Sequence, residues 1–149
     1  MSAGEYCNRE VVVVSKSESI SEAILLMRKH HVGDVIVTEE TKQGLAPVGI
    51  LTDRDIVLEI LAEDIDLSAV SIGDVMSYEL VTVTESTTLI DTIKLMRQKG
   101  VRRIPVVNDA GNLEGLLSVD DLLELLAEQL TDIVALISKE QNTESRLRK

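Results

Sequence analysis

The chain has 149 residues, 44% hydrophobic and 28% charged, with a formal net charge of −11, an ordinary globular composition that buries roughly 70% of its surface when folded as one body. The acidic surplus argues against a general binder of nucleic acid or of anionic membrane, both of which need a basic face; two tyrosines without Trp or Phe also leave no stacking platform for single-stranded bases. No apolar run approaches the ~18 residues of a membrane span, the first residues lack the basic and apolar stretches of a signal peptide, and the single Cys7 fits a reducing compartment, so a cytoplasmic location is expected.

In chain order, the β-branched residues 11–14 predict a strand, and Ile20, Ala23, Ile24 and Met27 share one face of a helix running to about His31. Residues 35–37 and 48–51 predict two strands joined through Gly44 and Pro47, and 56–61 open a closing helix. Residues 64–73 mix polar and apolar side chains without a Gly/Ser-rich or Pro-rich run, which predicts a packed connector rather than a tether. Strands over 81–83, 104–107 and 113–117 and helices over 89–96 and from 122 follow, with 108–112 (Asn-Asp-Ala-Gly-Asn) forming the hairpin turn. Beyond these, Leu122, Leu123, Leu126, Leu130, Ile133, Val134 and Ile137 continue at helical spacing; this stripe covers the body of the protein or joins a second molecule. Residues 141–149 are polar and predict a frayed end.

The elements recur because the sequence does. Val12, Val14, Ser17, Ile24, Leu26, Met27, Arg28, Val32 and Val37 reappear 69 positions later as Val81, Val83, Ser86, Ile93, Leu95, Met96, Arg97, Val101 and Val106. A repeat fixes the architectural unit before any residue is interpreted. The expected class is α/β in the α+β sense: two β-α-β-β-α repeats packed as a pseudo-two-fold pair, with an extended C-terminal helix. The boundaries read as 6–65 for the first repeat, 66–75 for the connector, 76–128 for the second repeat, and 129–149 for the helical extension and tail.

The sharpest chemistry lies where a strand runs into a helix. Gly49-Ile50-Leu51-Thr52-Asp53-Arg54-Asp55 answers to Gly115-Leu116-Leu117-Ser118-Val119-Asp120-Asp121, each placing a hydroxyl residue three positions before a carboxylate. That spacing is a capping box, which ties off backbone N–H groups and needs no ligand; Ser19 with Glu22 and Thr88 with Asp91 have the same spacing and predict caps. The strand-exit pair admits a second reading. A helix start favours phosphate, Thr52 or Ser118 adds a hydroxyl donor, and Asp55 or Asp121 can accept both hydroxyls of a ribose diol in charge-assisted bonds. Sugar over the carboxylate and phosphate over the hydroxyl is the order of a 5′-nucleotide.

Together with the paired repeat and Val101-Arg102-Arg103-Ile104-Pro105-Val106-Val107, these motifs resemble a stand-alone tandem CBS-domain protein, a Bateman module, over about residues 11–127. The resemblance implies a regulatory module that binds AMP, ADP or ATP, or NAD or S-adenosylmethionine, in clefts between its repeats and responds by conformational or oligomeric change. It implies Thr52 and Asp55 for one cleft and Ser118 and Asp121 for the other. Arg102 and Arg103 stand where family members place phosphate-reaching cations, and repeat one has Gly33 and Asp34 there instead. Arg54 adds a cation to the first motif, whereas its counterpart Asp120 opposes a phosphate, so the clefts should differ. Adenine would lie against Val83 and Thr84 with Ile104 and Pro105, or Val14 and Ser15 with Val35 and Ile36. A homodimer, an unidentified regulated protein and no required cofactor are likewise implied. The alternative is a ligand-free scaffold acting through its acidic surface and C-terminal helix. His30 and His31 lack a second cluster of metal ligands and read as cations at a helix end. Without a nucleophile motif, a Ser/His/Asp set or a Walker loop, catalysis is not expected.

Overall fold

A computed structural model describes residues 1–78 and 80–147. The chain divides into two units, Met1–Leu117 and Ser118–Lys149. In the first unit, α1 (Ala3–Tyr6), β1 (Val13–Val14), α2 (Ile20–His30), β2 (Asp34–Thr41) and β3 (Gly44–Thr52) are followed by α3 (Asp53–Ile56), which continues directly into a π turn over Val57–Leu61. A 3-10 turn (Leu67–Ala69) and α4 (Ile72–Val75) lead to β4 (Val83–Thr84), α5 (Leu89–Lys99), β5 (Arg103–Val107) and β6 (Leu113–Ser118). The second unit is the helix α6 (Val119–Leu147).

Each repeat builds one three-stranded sheet, ordered β1-β2-β3 and β4-β5-β6. The outer pairing is parallel and in the same register in both: Val14 lies beside Val37, and Val83 beside Val106. A helix covers each sheet because its apolar positions recur on one stripe. Ile20, Ala23 and Met27 of α2 are buried, as are Leu89, Thr92 and Met96 of α5. Ser19 and Thr88 cap these helices by accepting from Glu22 N at 3.2 Å and Asp91 N at 3.1 Å, as their spacing predicts. Both helices stop at a left-handed residue, His31 (φ 54°) and Gly100 (φ 67°).

Two local expectations are corrected. The first hairpin turns at 42–43, and both Gly44 and Pro47 lie inside β3. Pro47 pairs with Thr38 beside a register shift after Val37, a place where a residue without an N–H is tolerated in a sheet. The polar end is not frayed from 141 onward: α6 runs to Leu147, and residues 148–149 lie outside the described residues.

The repeats are joined by exchange of their leading segments. Asn8 and Leu116 of β6 donate N–H bonds to each other's carbonyls at 2.9 Å, and 69 residues later Ser77 makes the matching pair with Ile50 of β3 at 2.9 and 3.1 Å. Ala3 and Gly4 donate to the carbonyls of Thr87 and Glu85, just as Ile72 and Gly73 donate to those of Glu18 and Lys16. The segment ahead of each repeat thus completes the other repeat. Ile72 and Met76 are buried in the same core as Val14, Ile20, Val35, Leu51 and Ile60.

Candidate functional site

The strand-exit motif has the same construction in both repeats. Thr52 ends β3 in extended conformation, and its Oγ1 accepts from Asp55 N at 3.1 Å while its own N–H donates to Asp55 Oδ2 at 2.9 Å. In the second copy Ser118 Oγ accepts from Asp121 N at 3.2 Å, Ser118 N donates to Asp121 Oδ2 at 3.1 Å, and Ser118 Oγ lies 2.9 Å from the same oxygen. Both are complete capping boxes, the local alternative that the spacing allows. All four side chains are half-buried. Each box engages Oδ2 of its carboxylate, and Oδ1 of Asp55 and Asp121 takes part in no hydrogen bond among the described residues.

The glycine that opens each motif is there for the exchanged segment. A Cβ on Gly49 would stand 2.7 Å from the carbonyl oxygen of Ser77, and one on Gly115 would stand 2.5 Å from Cys7 Sγ and 2.9 Å from the carbonyl oxygen of Asn8. Closest approach of two backbones, not a phosphate, sets this residue type.

The residues expected around adenine are placed unequally. Val14, Val35, Ile36, Val83, Ile104 and Pro105 have their side chains in the core. Val14 and Ser15, with Lys16, Thr38, Glu39 and Leu45, line a cleft of about 460 Å³. Arg54 lines a separate hollow with Asp53, Val57 and Leu58, so Arg54 and the Val14–Ser15 wall are not brought together. Ser15 and Thr84 are half-buried, and their hydroxyls turn to Ser17 at 3.2 Å and to Ser86 and Thr87 at 3.2 and 3.0 Å. Arg102, Arg54 and Asp120 are exposed.

Arg103 has a partner that its motif alone does not disclose. Its Nε lies 2.7 Å from Oδ2 of Asp34, a carboxylate 8% exposed, against 36% for the arginine side chain. Oδ2 has no aligned hydrogen bond, so the contact is an ion pair rather than a directed bond. Burial raises the Asp34 pKa above its ordinary value; Arg103 opposes that shift and nearby Asp53 adds to it. Asp34 and Arg103 occupy equivalent positions, 69 apart, so the sequence carried the signal in its repeat offset: one position is acidic in the first copy and basic in the second. Cys7 is half-buried, and burial raises its thiol pKa despite Arg9 beside it, the opposite of an activated nucleophile. Among the described residues no group of three or more His, Cys, Asp or Glu is placed to hold a metal, and no helix is long and apolar enough to cross a membrane.

Comparison with known proteins agrees with this construction. The CBS domain pattern matches residues 3–62 and 72–128, each match taking in the leading segment of its repeat. An uncharacterised protein of Methanopyrus kandleri is 34% identical over 125 residues, which cover 84% of this chain but only 62% of that protein, less than two thirds of its length. The CBS domain-containing protein YhcV of Bacillus subtilis is 41% identical over 113 residues, covering 76% of each chain. Among solved structures, a hexameric CBS-CP12 protein from bloom-forming cyanobacteria superposes with a TM-score of 0.71 at 28% identity, over 83% of this chain and 66% of that one. A CBS domain pair in complex with 5′-methylthioadenosine and S-adenosyl-L-methionine shares the fold at a TM-score of 0.74 and 21% identity, over 87% of this chain and 98% of that one. Two matched copies, equivalent sheets and exchanged leading segments together make this chain a tandem member of the CBS domain family.

Proposed function

We propose that the protein is a regulatory module that binds an adenosine-containing ligand, AMP, ADP or ATP in the first instance and NAD or S-adenosylmethionine by the same chemistry. The observation that carries the reading is the hydroxyl-x-x-Asp box built at the same point of both repeats, each with one carboxylate oxygen unengaged. Asp55 and Asp121 are the ribose acceptors, and Thr52 and Ser118 the hydroxyls beside the phosphate. The 5′-methylthioadenosine and S-adenosyl-L-methionine of the CBS pair cited above support adenosine as the shared recognition element. Arg54 and Arg102 supply exposed cations for phosphate, whereas Arg103 reaches a phosphate only by sharing itself with Asp34. The same reading includes a cytoplasmic setting, pairing of two chains, a regulated partner protein and no catalysis. Ligand binding alters the protein only through unequal affinity for two of its states.

A ligand-free scaffold is the second reading, favoured by the boxes satisfying themselves and by the buried Val35, Ile36, Ile104 and Pro105. Melting curves decide between them. AMP or ATP raises the melting temperature of the wild-type chain, and Asp55→Asn with Asp121→Asn abolishes that rise while leaving the apo protein close to wild type, because asparagine still accepts the capping bonds. No rise with any adenosine compound, or a rise that survives both substitutions, overturns the proposal.

A further inference from the structure

Arg103 is only half committed to its partner. Its Nε lies 2.7 Å from Asp34 Oδ2, whereas its two terminal nitrogens have no hydrogen-bond partner among the described residues, and a guanidinium offers a fork of donors that suits phosphate. The pair stands at the first box. Asp34 is the register partner of Thr52 across β2 and β3, and directly paired residues of antiparallel strands carry their side chains on one face about 5 Å apart. A second carboxylate closes in from the start of α3: Asp53 N donates to the Gly33 carbonyl at 2.8 Å, and a Cβ on Gly33 would stand 3.0 Å from Asp53 Oδ2. Among the described residues, Arg103 from β5 and Asp53 from α3 are the charged groups that act on Asp34; Thr52 is neutral.

With ribose on Asp55 and the 5′ group beside Thr52, the reading on which this inference rests, the 5′ group is one side chain away from Asp34. Two carboxylates against one guanidinium leave that corner with an excess of negative charge, which opposes a phosphate but not a neutral or sulfonium 5′ group. A phosphate gains the corner through the free nitrogens of Arg103. Drawing the guanidinium away leaves a buried carboxylate uncompensated beside Asp53, and a buried charge in that position takes a proton from solvent rather than stay ionised. The pH at which Asp34 ionises is already raised by burial and by Asp53, with Arg103 opposing both, so loss of Arg103 moves it further in the same direction.

We propose that Asp34 sets the specificity of the first cleft: it holds Arg103 back from the 5′ group, so that a 5′-phosphate binds by drawing Arg103 off Asp34 while the abandoned carboxylate takes up a proton. Asp34 is thus a positioning residue that acts through Arg103. Titration calorimetry with AMP and adenosine tests this in the full chain carrying Asp121→Asn, where the first box alone reports. The ratio of AMP to adenosine affinity falls about threefold or more from about pH 6.5 to about pH 8, within the tenfold per pH unit that one linked proton allows. AMP binding also takes up a proton, read as heats that differ between buffers of different ionisation enthalpy. Asp34→Asn in the same chain raises the ratio at about pH 8 by about tenfold, the equivalent of one pKa unit, and removes both the fall and the proton uptake. The second ionisation of the phosphate, near pH 6, is common to both chains and acts with the opposite sign, so it does not produce the difference. Arg103→Gln added to Asp34→Asn, a pair with no buried charge left unpaired, abolishes that rise. A ratio independent of pH in the chain that keeps Asp34, a ratio that Asp34→Asn leaves as it was, or a raised ratio that survives the loss of Arg103 overturns the proposal. In each of those cases adenosine binding still upholds the functional reading, whereas binding of neither compound at any pH overturns both.

Discussion

At the scale of single residues, Asp34 and Arg103 show how a repeat diverges. Two copies of one side chain at the meeting point of a pseudo-symmetric pair would set like against like; an acid in one copy and a base in the other removes that conflict. Removing the base leaves a buried carboxylate uncompensated, so Arg103→Ala is expected to cost about 2–3 kcal/mol, below the ~3–5 kcal/mol of a fully buried pair because the arginine is partly solvated. The pH dependence has a definite sign. Asp34 has its folded pKa raised chiefly by burial, so its contribution to stability is fully present below the ordinary carboxylate pKa and is lost as pH rises through the raised folded value. Asp34→Asn is therefore expected to melt above the wild type at neutral pH. That advantage should shrink as the solution is acidified towards about pH 4, which paired melting curves of the two proteins will measure.

At the scale of elements, the two repeats solve one problem with different residues. Both α2 and α5 end on a left-handed residue, but only α5 has glycine there, at Gly100; α2 uses His31. A side chain in that conformation costs about 1 kcal/mol relative to glycine. His31→Gly is thus expected to stabilise the protein by about that amount in chemical denaturation. The position of His31 also gives a backbone account of a residue whose charge at a helix end was its most legible property in the sequence. The closing helices differ more. The first passes into a π turn at Val57–Leu61, with Ile56 and Ile60 buried while Val57, Leu58 and Leu61 point outward; the second continues as the 29-residue α6.

At the scale of the whole molecule, exchange of the leading segments makes the repeats interdependent. The last strand of each sheet is bridged by the segment that precedes the other repeat, and Gly49 and Gly115 admit it. Gly49→Ala places a methyl group against the Ser77 carbonyl, with nowhere to relax but the backbone. It is expected to lower stability by about 2 kcal/mol in equilibrium unfolding, with both repeats still lost in one transition. Two separate transitions would show that the repeats fold independently.

The repeat offset, the strand and helix order and the hydroxyl-x-x-Asp boxes were legible in the amino-acid sequence, because each is written in spacings of a few residues or in one constant shift of 69. Periodicity of 3.6 marked Ile20, Ala23 and Met27 as one face, and the Thr52 and Ser118 spacings held both the capping and the ligand reading open. The boxes close on themselves through local bonds three residues apart; tertiary structure alone decided that Arg103 turns to Asp34 and that residues 3–8 and 72–77 cross over to the opposite repeat. The Arg103–Asp34 pair and the crossing segments join positions 27 to 108 residues apart. No local pattern encodes them, since they arise only when two similar surfaces meet and each must satisfy the backbone groups and charges that the other leaves open.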